Sequence, residues 1–211
     1  MPTIEQARAW YTDDDPVHDF SHVLRVLHMA DRIGKAEGAD LEIVHAAALL
    51  HDVEGSAPGG ESRKSHHHES AEFAGKVLKE EGWPEERIAA VQHCIRAHRF
   101  RSDGEHPETL EAKVLFDADK LDVLGAIGAG RTIAYAAIRK QPIFAHPSER
   151  FIQTGEKEPG EPHSSYHEYL FKLVKVKDRM FTPTGLAIAE ERLAFLKAFY
   201  EQLEAEFDGK R

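Results

Sequence analysis

The sequence predicts an all-α protein, on three observations. Apolar residues recur at spacings of three and four, glycine and proline punctuate those stretches at helix-length intervals, and no pair of alternating segments reads as strands. Val23, Val26, Leu27, Ala30 and Ile33 outline one face of a first helix, with Gly34 and Gly38 near its end. Asp40 is placed to cap a second, from Leu41 to about Val53, rich in alanine and leucine. The glycine, proline and serine content of Gly55 to Ser65 reads as a loop. A third helix runs from about Ser65 to Glu81 and stops at Gly82; Pro84 suits the first turn of a fourth, to roughly His98. Arg101 to Pro107 is polar loop, and Thr109 to Leu124 is helical. The glycine-rich stretch Gly125 to Gly130 suggests close packing or a bend before a helix from Arg131 to Lys140. Gln141 to Ser164 contains Pro142, Pro147, Pro159 and Pro162 and reads as a long loop with one short helix, the kind of segment that serves as a lid. Within it Glu156-Lys157-Glu158 reads as solvated surface. Helices from about Tyr166 to Met180 and from Thr184 to Phe207 complete the chain.

A length of 211 residues suits one generous domain, and no second composition regime or internal repeat divides it. With 27 Lys and Arg against 37 Asp and Glu, the formal charge of -10 disfavours nucleic-acid polymers and anionic membranes. Small phosphate esters stay open, because a bound divalent cation reverses the local field. The single Cys94 excludes an intramolecular disulfide and fits a reducing compartment. The N-terminus lacks the basic and apolar regions of a secretion signal, and the central apolar run Ala46 to Leu50 is far short of a membrane span. A cytoplasmic location is the expectation; the oligomeric state is open.

Histidine is the unusual residue, with 14 copies, so ligand geometry is worth seeking. His51 and Asp52 end an apolar helix, where two adjacent polar groups need partners; a divalent cation satisfies both at once, and a hydrogen-bonded pair at the helix end is the plainer alternative. Upstream, His18 and His22 are four apart and His22 and Arg25 three apart, so two imidazoles and a guanidinium share one helix face. That suits a metal beside a phosphate clamp, although surface helices carry such triplets too. Downstream, Asp117, Asp119 and Asp122 crowd an otherwise apolar helix, with Asp119 and Asp122 on one face and Asp117 pointing elsewhere; a solvated acidic face is the alternative.

In order along the chain, His22, His51-Asp52 and Asp119 resemble the signature of the HD superfamily. The flanking text is similar as well: His18-Asp19-x-x-His22-x-x-Arg25, Ala48-x-Leu50-His51-Asp52-Val53, Ile95-x-x-His98 and Asp117-Ala118-Asp119-Lys120-Leu121-Asp122 look like compact bacterial HD hydrolases of unassigned substrate. Glu168-Tyr169 with Thr182-x-x-Gly185 looks like the same subgroup's C-terminal helical extension. The resemblance implies a helical bundle, one domain over residues 1–211 with its motif core at 18–131 and its extension at 141–208. It implies a divalent ion, Mn, Fe, Co, Ni or Mg, held by His22, His51, Asp52 and Asp119. It implies metal-dependent hydrolysis of a nucleotide or another small phosphorylated metabolite by attack of metal-bound water.

Further roles are open. Glu54 accepts the water's proton or is exposed surface; Lys120 pairs with phosphate or with a neighbouring carboxylate. His18, Arg25 and His98 are candidates for substrate contacts, His98 also for protonating the leaving group or taking a second metal. His93 lies five residues from His98, about 140° round a helix, so only one of the two faces the site. His66, His67 and His68 read as solvated, since consecutive helical residues diverge; if His68 reaches inward with His98, Asp52 bridges two ions. Glu54 is followed by Gly55-Ser56 rather than by the Glu-Asp pair of alarmone hydrolases, and the Gly-Tyr-Pro motif of cyclic-dinucleotide phosphodiesterases is absent. The alternatives are a metal-stabilised helical binding module without catalysis and a di-iron HD oxygenase.

Overall fold

The computed structural model describes residues 1–11, 20–53, 66–99 and 104–211. These form α-helices and short 3-10 turns, with no strand among the described residues. The expected loop Gly55 to Ser65 lies outside them. The chain divides into two compact units: Met1–Asp119 with Phe181–Gly185, and Lys120–Met180 with Leu186–Arg211.

The first unit holds α1 (Ile4–Arg8), α2 (Phe20–Glu37), α3 (Leu41–Leu50), α4 (His66–Glu80), α5 (Glu85–Ala97) and most of α6 (Leu110–Leu121). Helix α3 is its centre: Ile43, Val44 and every residue from Ala46 to Leu50 are buried. A helix apolar on all sides must be surrounded, and α1, α2, α4 and α5 all pack on it. Its alanines let those neighbours approach closely. As predicted, Asp40 caps it, accepting from the Glu42 and Ile43 amides, and Arg87 braces the cap at 2.8 Å.

Two boundaries here differ from expectation. Helix α3 ends at Leu50 rather than near Val53, with His51 as its C-cap. Helix α1 was not anticipated, although Thr3 and Gln6 form a reciprocal capping box legible in the sequence. Helix α4 stops as expected at Gly82, whose φ of 77° is the left-handed turn that favours glycine.

The second unit holds α7 (Gly125–Ile138), α8 (Glu149–Thr154), α9 (Ser165–Phe171) and most of α10 (Pro183–Phe207). The glycine-rich stretch is the first part of α7 itself. Gly128 is required there, because a Cβ would sit 2.1 Å from the Val123 carbonyl oxygen. The single helix expected to reach Met180 ends at Phe171 and gives way to 3-10 turns, Leu173–Lys175 and Lys177–Arg179. Leu173 and Val176, three residues apart, are the buried pair there, a spacing that matches three residues per turn. The proline-rich stretch contains α8 as its one helix, and Glu161 knits it together. Its carboxylate accepts from the Ser148 amide and hydroxyl and the Glu158 amide, and lies 3.1 Å from His167. Among the described residues no single helix is long and apolar enough to cross a membrane.

Candidate metal centre

Helix α2 brings His22 and the end of α3 brings His51 to a common point. Their Nε2 atoms are 3.4 Å apart, and Asp119 Oδ1 on α6 is 3.4 Å from His22 Nε2. The donor atoms of His22, His51 and Asp119 all lie within 4.8 Å of one another. Asp52 completes the arrangement, its Oδ2 lying 3.9 Å from His22 Nε2 and 3.7 Å from His51 Nε2. Two donors about 2.1 Å from one ion stand roughly 3.0–3.4 Å apart at octahedral to tetrahedral angles, so the closer contacts have ligand spacing.

The His51 imidazole is oriented for this. His51 Nδ1 lies 2.8 Å from the Ala48 carbonyl oxygen, which only accepts, so Nδ1 carries the proton and the Nε2 lone pair faces inward. Burial pushes the His51 pKa down to about 4, which keeps the ring neutral near pH 7. Burial acts on Asp52 in the opposite sense, yet the facing His51, His66 and His98 outweigh it and hold the carboxyl well below its usual range.

The other oxygen of Asp52 faces a second group. Oδ1 is 3.3 Å from His66 Nε2 and 3.4 Å from His98 Nε2, and Asp52, His66 and His98 also have donor atoms within 4.8 Å of one another. His98 repeats the His51 device, with Nδ1 2.5 Å from the Ile95 carbonyl oxygen. Although buried, Asp52 Oδ1 has no partner of hydrogen-bond geometry among the described residues. An orphaned buried carboxylate oxygen ringed by imidazole nitrogens fits a divalent cation.

The expected solvation of the three consecutive histidines is corrected at His66. His66 is 3% exposed, on the α4 face that also buries Ser70, Ala74 and Leu78, while His68 is exposed and cannot be the inward histidine. The repeat of four from His66 to Ser70 to Ala74 was the signal available in the sequence. Of His93 and His98, His98 faces the site; His93 pairs with Glu105 at 2.5 Å. Arg25 donates to Ser21 at 2.6 Å, one turn away on α2. Lys120 follows Asp119 on α6. His18 and Glu54 lie outside the described residues. Asp117 does point elsewhere, accepting from Phe181 and Thr182, and Asp122 pairs with Arg131. Burial pushes the Cys94 thiol pKa up, so it is a poor nucleophile.

Tyr11 was missed. Its hydroxyl donates to the Leu49 carbonyl at 3.0 Å, at a helix end where carbonyls lack intrahelical partners. Its ring packs against Phe20 at 5.4 Å, the residue that opens α2 two positions before His22. Burial, then the Asp52 charge, raises its pKa and keeps the donor proton in place. Tyr11→Phe is expected to cost about 1 kcal/mol of stability and to weaken metal binding about tenfold by loosening the His51-Asp52 turn. Calorimetric metal titration checks this, and unchanged affinity would refute it.

Comparison with known proteins agrees with this architecture. Residues 19–124 match the HD domain family model. The uncharacterized protein YpgQ of Bacillus subtilis is 33% identical over 212 residues, covering 97% of this chain and 94% of that protein. The crystal structure of Bacillus subtilis YpgQ in complex with ADP superposes with a TM-score of 0.72 at 30% identity, covering 97% of each chain. An HD-superfamily hydrolase from Bacillus thuringiensis gives a TM-score of 0.72 at 28% identity, over 97% of this chain and 94% of that one.

Proposed function

The chain belongs to the HD domain family, and from that premise we propose that it is a metal-dependent phosphohydrolase acting on a nucleotide or a similar small phosphate ester. The observation that carries this reading is the convergence of His22, His51 and Asp119 with the Asp52 carboxylate, the buried His51 ring being already turned to present its Nε2 lone pair. His22, His51, Asp52 and Asp119 would hold the divalent cation. When bound, such a cation supplies Lewis acidity toward a phosphoryl oxygen and acidifies a water molecule. Arg25, one turn beyond His22, and Lys120, next to Asp119, would neutralise phosphoryl charge. Glu54 is proposed to accept a proton, and His18 and His98 to contact substrate. The adenine nucleotide bound by Bacillus subtilis YpgQ, a relative aligned over nearly its whole length, supports a nucleotide as the substrate class.

The test is phosphate and pyrophosphate release by purified protein from nucleoside mono-, di- and triphosphates, with Mn, Mg, Co, Ni or Fe supplied. Turnover is expected with at least one metal, lost on chelation and in His51→Ala. Arg25→Ala is expected to lower turnover about 100-fold while metal content stays the same, since a guanidinium takes no part in coordination. Bound metal without turnover on any phosphate compound would overturn the reading in favour of a metal-stabilised binding module.

A further inference from the structure

Of the histidines around Asp52, His66 differs from His51 and His98 in one respect. His51 and His98 turn Nδ1 onto the carbonyls of Ala48 and Ile95, which leaves each Nε2 lone pair facing the carboxylate. His66 instead lies against a cation. Arg99 Nη1 is 3.0 Å from His66 Nδ1 and 3.2 Å from His66 Nε2, so one guanidinium N–H group stands within reach of both ring nitrogens. A guanidinium has donors only and keeps its charge at any physiological pH. At nearly equal distances from both nitrogens the guanidinium lies over the ring, and its charge there opposes a metal ion at Nε2. A second positive charge at His66 Nε2 would also stand close to the first in a largely buried setting, where repulsion is weakly screened.

We propose that Arg99 is a built-in competitor for the cation position formed by Asp52, His66 and His98, and that this position takes a divalent ion only when an anionic phosphate draws Arg99 away. The inference rests on the reading of Asp52 as a metal ligand in a phosphohydrolase. Arg99 follows His98, the C-cap of α5, so its side chain can turn without moving that helix. Phosphate is the natural lure, since a planar guanidinium pairs with it through two parallel hydrogen bonds that an imidazole cannot match. The two events are therefore linked: phosphate raises affinity for the second ion, and the second ion raises affinity for phosphate by the same factor. The chain would hold one ion at rest and assemble the second around its ligand.

Manganese titration of the full chain, by calorimetry and by elemental analysis after desalting, tests this with and without inorganic phosphate. Wild type is expected to bind one ion tightly without phosphate and a second at least about tenfold more tightly once phosphate is present. Arg99→Met is expected to bind two ions without phosphate, with little further response to it, and Arg99→Gln should behave likewise if the methionine variant folds poorly. His66→Ala, alone or combined with Arg99→Met, should keep the first ion and lose the second. Unchanged second-ion affinity in both Arg99 variants, or two equally tight ions in wild type without phosphate, would overturn the competitor role and leave the first site standing. Absence of manganese binding in wild type, or full retention in His51→Ala, would overturn the metal reading itself and this inference with it.

Discussion

Asp52→Ala is expected to lose divalent-metal binding altogether and to lower phosphate-ester hydrolysis by about 10³-fold or more, the several kcal/mol that a bound metal supplies. The Asp52 carboxylate stands between both histidine groups: Oδ2 faces His22 and His51 while Oδ1 faces His66 and His98. Stability gives a readout that does not depend on knowing the substrate. Metal at about 100 times its dissociation constant stabilises the folded state by about 2.7 kcal/mol, or roughly 5–10 °C in melting temperature for a chain of this size. Wild type should show that rise and lose it on chelation, and Asp52→Ala should melt at the same temperature with and without metal. His66→Ala should keep most of the rise, because His22, His51 and Asp119 remain together with the Asp52 carboxylate. A metal-dependent shift in Asp52→Ala equal to that of wild type would remove Asp52 from the centre.

What made this site legible was residue type in unusual places. His51-Asp52 closing an alanine-leucine helix, and aspartates within an apolar helix, are costly unless something binds them, so the sequence marked them and the structure brings them together. His66 was hidden by its neighbours, since three consecutive histidines look like solvated surface until the buried repeat through Ser70 and Ala74 is followed. Tyr11 and Arg99 carry no local signal. Their contacts reach distant parts of the chain, Tyr11 to the Leu49 carbonyl and the Phe20 ring and Arg99 to the His66 ring, and spacing along the sequence does not encode such contacts.

The fold was legible where side chains set the boundaries. Asp40 and Gly82 mark helix ends with their own chemistry, one by accepting amide hydrogen bonds and the other by adopting a positive φ. It was less legible where tertiary contacts decide. The first breaker residue beyond α3 in the sequence is Gly55, yet the chain already turns at His51, whose ring reaches back to the Ala48 carbonyl while Tyr11 takes that of Leu49. The 3-10 turns after Phe171 likewise follow which of Leu173 and its neighbours are buried rather than any breaker residue.

Asp117→Ala is expected to destabilise the first unit by about 3–5 kcal/mol, among the largest losses a single substitution outside the metal centre can cause. The side chain is fully buried and accepts from the Phe181 amide at 2.9 Å, the Thr182 amide at 2.8 Å and the Thr182 hydroxyl at 2.7 Å. Burial raises its pKa and the nearby Glu37 charge adds to this, while the three donors oppose them. Alanine would leave those donors without an acceptor, and each such loss costs about 1–3 kcal/mol. Thr182 also caps α10 by accepting from the Gly185 amide at 2.9 Å, so the helix start loosens together with its anchor on α6. Gly185 is part of the same lock: a Cβ there would lie 2.4 Å from Asp117 Oδ2 and 2.8 Å from Thr182 Oγ1. Gly185→Ala should therefore destabilise by about 2–4 kcal/mol, and the double variant should cost clearly less than the sum, because both changes break one set of bonds. Asp117→Asn, which keeps one carbonyl acceptor, should fall between alanine and wild type. Denaturant unfolding of wild type and the four variants measures this directly; a loss under about 1 kcal/mol for Asp117→Ala, or full additivity with Gly185→Ala, would show that the carboxylate is not what ties the first residues of α10 to Asp117's helix.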